Sequence, residues 1–286
     1  MVQFVSTEDL DEEAWNKCAR RHAHGRPYYQ TWFLDTVCPD WDALVVGDYE
    51  AIMPLPRYTK YGVDWSIAPP WAGFLGFIGP QAQIPQEKEW KALLPKSLKY
   101  IDWPLCPAQE GGERLYQWHC GPETLALRAD DEIPQQAEDY TVFHNDPPEA
   151  LIGLMKQQGL AKHPFEEMDE ERLKHLMHVG IHKRKGQVWS LYDRSNTLVA
   201  GAYIFYDAEA ITVHSLAQSS SSDVSTARLM LWAILKESEP YPVRVEVLER
   251  MADPAVIQGL NPEVKFIPKF SLNRLPWYLK WYRPEV

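Results

Sequence analysis

The chain has 286 residues, 45% hydrophobic and 24% charged, with a formal net charge of −11. This suits a globular protein of about two domains, and the acidity argues against non-specific nucleic-acid binding, which needs a basic stripe. Cys18, Cys38, Cys106 and Cys120 form no CxxC pair, no apolar leader follows Met1 and no run of about 18 apolar residues spans a membrane, so disulfides, zinc and secretion are set aside and a reducing cytoplasm is the expected location.

In chain order, Phe4–Val5 opens as a short strand, and Ser6 with Asp9 three residues on reads as the cap of a helix over Leu10–Arg21. His24-Gly25-Arg26-Pro27 breaks that helix, and a second, short one ends near Val37. Trp41–Val46 and Tyr49–Leu55 are strands around Gly47-Asp48, with Val63–Ile67 as a third. The segment Pro69–Pro80 is too rich in Pro and Gly for a regular element and too apolar for a surface loop, so it lines something or packs between domains. Pro85–Leu94 reads as a helix, and Tyr100–Trp103, Tyr116–His119 and Thr124–Leu127 as short strands.

The acidic stretch Arg128–Asp139 divides the chain into domains 1–135 and 136–286. Helices follow over Pro147–Gly159 and Asp169–Gly180, the second closed by Gly180. His182-Lys183-Arg184-Lys185 reads as a solvated turn. His175, His178 and His182 are spaced i, i+3, i+7, but a helix that stops at Gly180 separates them, so no metal site is expected. Gln187–Tyr192, Leu198–Tyr206 and Ala210–Ala217 form a meander, then come the serine-rich turn Gln218–Asp223, a helix over Thr226–Ser238 and a strand at Val243–Val247. Asp253 caps Pro254–Leu260, and Val264–Ile267 and Pro276–Tyr282 are the last strands. Both halves read as helix, helix, meander, helix and strands, without sequence identity between them.

That order is similar to an acyl-CoA N-acyltransferase (GNAT) fold. The run from Ala51 to Gly62 with Ile67-Ala68-Pro69-Pro70, and the tail Pro254–Lys269 with Asn273-Arg274-Leu275-Pro276, resemble FemAB/FemX-type transferases, in particular a group common in Bacteroidetes. The resemblance implies an α/β (α+β) protein of two tandem GNAT-like domains with mixed, mainly antiparallel sheets. It implies transfer of an acyl or aminoacyl group, from a thioester or tRNA donor, to an amine. Three departures stand out: the linker is acidic where relatives are basic, the terminal strand keeps only Glu246 of its usual signature, and the helical insertion that serves tRNA is absent. With the net acidity, these argue against tRNA.

The resemblance implies a donor pyrophosphate held on a turn at a helix start, here Gln218, Ser219, Ser220, Ser221, Ser222 and Ser225, with serine in place of glycine. The plainer alternative is a loop that only caps the helix. Acyl-CoA is then a co-substrate, and no permanently bound cofactor is expected. For the amine proton the candidates are Glu246, as a base or as a strand carboxylate paired with Arg244, and His214, as a base or as a core histidine. Strict alternation puts Thr212, His214 and Leu216 on one side of their strand and Ile211, Val213 and Ser215 on the other. Tyr28, Tyr29, Gln30, Trp32, Pro70 and Trp71 could line a cleft for a small-molecule, sugar or peptide amine, or form core. A second function is a binding protein of the same fold that has lost transfer; a third gives the first domain to homodimerisation alone.

Overall fold

Alternating apolar residues build two sheets, and the chain divides into two compact units, with a boundary that falls within the strand Glu263–Ile267 of the second sheet. In the computed structural model, residues 1–38, 40–60, 62–69, 71–105, 113–120, 137–158, 166–207, 210–219, 225–239, 241–248 and 263–277 are described, with the backbone alone at 60, 113–120, 166–169, 225, 246–248 and 263–267. One unit is Met1–Glu113 with Lys265–Val286, and the other is Arg114–Val264. The expected boundary at 135 and the expected elements Thr124–Leu127 and Asp253–Leu260 lie outside the described residues.

The first sheet has the order β1 (Val2–Ser6), β2 (Asp40–Val46), β3 (Ala51–Lys60), β4 (Val63–Ile67), β5 (Leu98–Pro104) and β13 (Lys269–Asn273). Its helices are α1 (Glu12–His22), α2 (Thr31–Val37) and α3 (Glu87–Lys91). Asp11, not Ser6, caps α1 by accepting from Ala14 N; Ser6 hydrogen-bonds Asp9 instead. Trp15 is fully buried and donates its indole N–H to Tyr29 O at 2.6 Å. The strand β13 is not expected from the sequence; of the expected strand Pro276–Tyr282, Pro276 and Trp277 are not in a strand and the remainder lies outside the described residues. Lys269 Nζ and Ser271 Oγ, each 2.9 Å from the buried Asp102 carboxylate, hold β13 to β5, while Phe270 packs on Trp90 and Trp103.

The second sheet runs β12 (Glu263–Ile267), β6 (Glu113–Cys120), β11 (Val243–Leu248), β10 (Ile211–Gln218), β9 (Leu198–Tyr206), β8 (Gly186–Asp193) and β7 (Tyr140–His144). Its helices are α4 (Pro148–Gln157), α5 (Glu166–His182) and α6 (Ser225–Glu237). Ile204, Val213, Val243 and Val245 pack with Leu229, Met230 and Ile234 of α6 into the core of one face. On the other face Gly201 lies against Leu151 and Leu154 of α4, and Tyr203 donates to Met177 O of α5 at 3.3 Å. Each sheet therefore takes a strand from across the sequence: β13 completes the first, and β6 joins the second.

Gly180 does not end its helix. The helix α5 continues to His182, and the left-handed residue that closes it is Arg184 (φ 55°), with Lys185 N donating to Gly180 O. Gly180 and Gly186 instead make room for Tyr203: a Cβ on either would stand within 2.1 Å of the Tyr203 hydroxyl. The phenol is fully buried, and its burial pushes the pKa up.

Gly180→Ala should therefore destabilise the fold by about 1–3 kcal/mol through overpacking. Tyr203→Phe should rescue it, because the ring Cζ is 3.4 Å from the new methyl, but should not rescue Gly186→Ala, where Cζ is at 2.6 Å. Urea unfolding of the single and double variants measures both couplings.

Candidate functional site

The parallel ladder between β10 and β11 covers only Ile211↔Val243, Thr212↔Arg244 and Val213↔Val245. Both strands run on past it, β10 bonded to β9 as far as Gln218 and β11 bonded to β6 as far as Leu248. The sheet thus opens at His214 and Glu246, the first residues beyond the last pair. Past that point the facing backbone edges share no ladder, and an unpaired strand edge is a template for another extended chain.

A β-bulge marks the same place. The register with β9 passes from Val213↔Ile204 to Ser215↔Tyr203, which leaves His214 without an opposite residue. The bulge overturns the strict alternation expected from sequence: Ser215 joins Thr212 on the face of Tyr203 and Phe205, and Leu216 joins the core under α6. The His214 ring sits edge-on to Phe205 and Tyr203, with centroids 5.1 and 6.2 Å away. Its Nδ1 lies 2.9 Å from Ser215 Oγ, and the imidazole tautomer decides which of the two donates. Both side chains are buried.

The two residues chosen from sequence for proton transfer are therefore brought to one level of neighbouring strands. Glu246 stands opposite Gln117 on β6, with only its backbone described. Thr212 and Arg244, side by side one step before Val213 and Val245, add buried polar groups, of which the sequence points only to Arg244, as a partner for Glu246; Thr212 Oγ1 has no hydrogen-bond partner among the described residues. Their neighbourhood to His214 depends on the pairing of β10 with β11, which no spacing within either strand reveals. Ser215, adjacent to His214, is legible in the sequence, and only the bulge moves it off the face that strict alternation gives it.

At the far end of the opening, Gln218 has two roles within the protein. Its side-chain oxygen accepts from Ala227 N at 3.2 Å and from Thr226 Oγ1 at 3.1 Å, capping the first turn of α6. Its backbone N–H donates to Gln158 Oε1 at 3.0 Å. Ser219 N–H is taken up by Val199 O of β9 at 2.8 Å. Of the other residues expected to hold phosphate, Ser220, Ser221 and Ser222 lie outside the described residues, and Ser225 is the first residue of α6, known by its backbone.

The aromatic set expected to line an acceptor cleft belongs to the first unit. Tyr28, Tyr29, Gln30 and Trp71 are buried, with Tyr28 edge-on to Phe33 and Phe74. Trp32 keeps part of its surface and donates to Gln30 Oε1 at 2.8 Å; Pro70 lies outside the described residues. Residues 71–78 run between β3 and β5, through the bridges Ile52↔Ile78 and Leu75↔Leu105. His175, His178 and His182 share the continuous α5, and His178 lies 3.3 Å from Glu149; among the described residues no group of three or more such ligands could hold a metal ion. No described helix is long and apolar enough to cross a membrane.

No protein-family model and no curated protein matches the sequence. Solved structures do. FemX is similar with a TM-score of 0.63 at 10% identity, over 94% of this chain and 98% of that one. A tandem GNAT protein from the clavulanic acid biosynthesis pathway is similar with a TM-score of 0.55 at 10% identity, over 96% and 99%. L-PGS from Bacillus licheniformis gives 0.51 at 12% identity, over 93% of each chain. Likeness at such identity is one of fold: the chain is a mixed α/β protein of two GNAT-like domains.

Gln218→Leu should cost about 1–2 kcal/mol by leaving the start of α6 uncapped. The urea midpoint should fall, and the Ala227 amide should exchange faster with solvent.

Proposed function

We propose that the second unit holds an acyl donor in the opening between β10 and β11 and transfers its acyl group to an amine. The three-pair ladder is the observation that carries this reading. An extended chain bearing amides, such as the pantetheine arm of coenzyme A, suits a gap between two strand edges, because it can exchange hydrogen bonds with both. The serine run that joins β10 to α6 would then take the donor's phosphates on hydroxyls and on the N–H groups that open a helix.

In the reaction the amine nitrogen attacks the thioester carbonyl carbon. The C–N bond forms, the C–S bond breaks, and the thiolate leaves and is protonated. One proton must leave the attacking nitrogen, and His214 or Glu246, at the apex of the opening, would accept it. Backbone N–H groups on the open edge would meet the developing oxyanion. The His214 ring is buried, edge-on to Tyr203 and Phe205. The fold likeness to FemX and to a tandem GNAT protein supports a transferase of acyl or aminoacyl groups, and the acidic net charge favours a thioester over tRNA.

Calorimetric titration with acetyl-CoA and free coenzyme A should show saturable micromolar binding, about −8 kcal/mol. Ser222→Glu, which sets a carboxylate against the phosphates, should abolish it. His214→Ala should keep binding while slowing thiol release in an amine screen by roughly 100-fold or more. Wild-type protein that takes up neither ligand would end the thioester reading.

A further inference from the structure

The amide edge that β10 turns toward the opening is not bare at its end. Successive N–H groups of a strand point to opposite edges. Ser219 N–H bonds Val199 O of β9, so Gln218 N–H points to the other edge, the one facing β11. The group that meets it is the side-chain oxygen of Gln158, at the C-terminal cap of α4 and sixty residues away in sequence. A primary amide thus presents its carbonyl to a strand N–H at 3.0 Å, as the next strand's backbone would.

We infer that Gln158 is a built-in stand-in for the donor: its amide occupies Gln218 N–H when no donor is bound and yields that position to an amide carbonyl of the extended ligand. This rests on the donor site proposed above and specifies one contact in it. Two observations support displacement rather than a fixed brace. The Gln158 side chain is only half-buried at the end of its helix, so part of its surface already meets solvent. Gln218 itself is held from its other end, through the cap it gives α6, so its N–H stays in position when Gln158 leaves.

A stand-in and a brace differ in the sign of the effect on binding. Removing a competitor leaves the N–H unsatisfied in the free protein and satisfied in the complex, so affinity rises. Gln158→Ala, and Gln158→Met, which keeps the bulk of the side chain without its carbonyl, should each bind acetyl-CoA roughly three- to tenfold more tightly than the wild type in calorimetry, the release of one hydrogen bond. Both should melt below the wild type when free, and that gap should close at saturating acetyl-CoA. Equal or weaker binding in both variants, or a melting gap that persists at saturation, overturns the stand-in while leaving the donor site intact. Absence of binding in the wild type and in both variants removes the donor site and the stand-in together.

Discussion

Two parallel strands that pair over only three residues set the character of the second unit. A parallel ladder of full length between β10 and β11 would have consumed the backbone groups of both edges and left a closed sheet. Instead each strand stays bonded to its outer neighbour, and the inner edges separate at His214 and Glu246. The bulge at His214 belongs to this break, since an extra residue in one strand ends regular pairing and increases local twist. Gln218 then ties the end of β10 to the first turn of α6 through its side chain. An opening held by such bonds is a pre-organised feature rather than a frayed end.

The first unit makes the contrast clear. Its sheet repeats the same succession of pairings: three antiparallel, one parallel and one antiparallel. In the second unit that succession runs from β7 to β6. The parallel step differs, however. The pairing of β4 with β5 runs to the end of β4 at Ile67, and beyond it Leu75 N–H donates to Pro104 O at 2.7 Å. The buried segment around Trp71, Phe74 and Leu75 fills from within the place that lies open in the second unit. Duplicated topology has thus yielded one open step and one closed by its own chain.

Much of this was legible in the residues. The meander β8–β9–β10, α6 and β11 follow from alternation and helical spacing, and the internal repeat suspected from element order is present in the strand pairings. Other features were not legible, for physical reasons. Gly180 has the look of a helix stop, yet it lies inside α5 because Tyr203 needs the space, a demand set by a strand more than twenty residues away. The strand β7 at Tyr140–His144 directly follows an acidic stretch that reads as a linker, and β13 is placed by Asp102 and Trp103, far from it in sequence. Within the site, His214 and Glu246 could be named but not placed together, because register between parallel strands is a tertiary property. Gln158, at a helix end, carries no local signal at all.

Hydrogen–deuterium exchange with and without saturating acetyl-CoA tests the open parallel step most directly. Donor binding there requires slower exchange over residues 214–219 and 246–248, with the closed step at 64–67 and 98–102 unchanged. Protection confined to the first unit, or no change at β10 and β11 under conditions where calorimetry shows bound ligand, would contradict it.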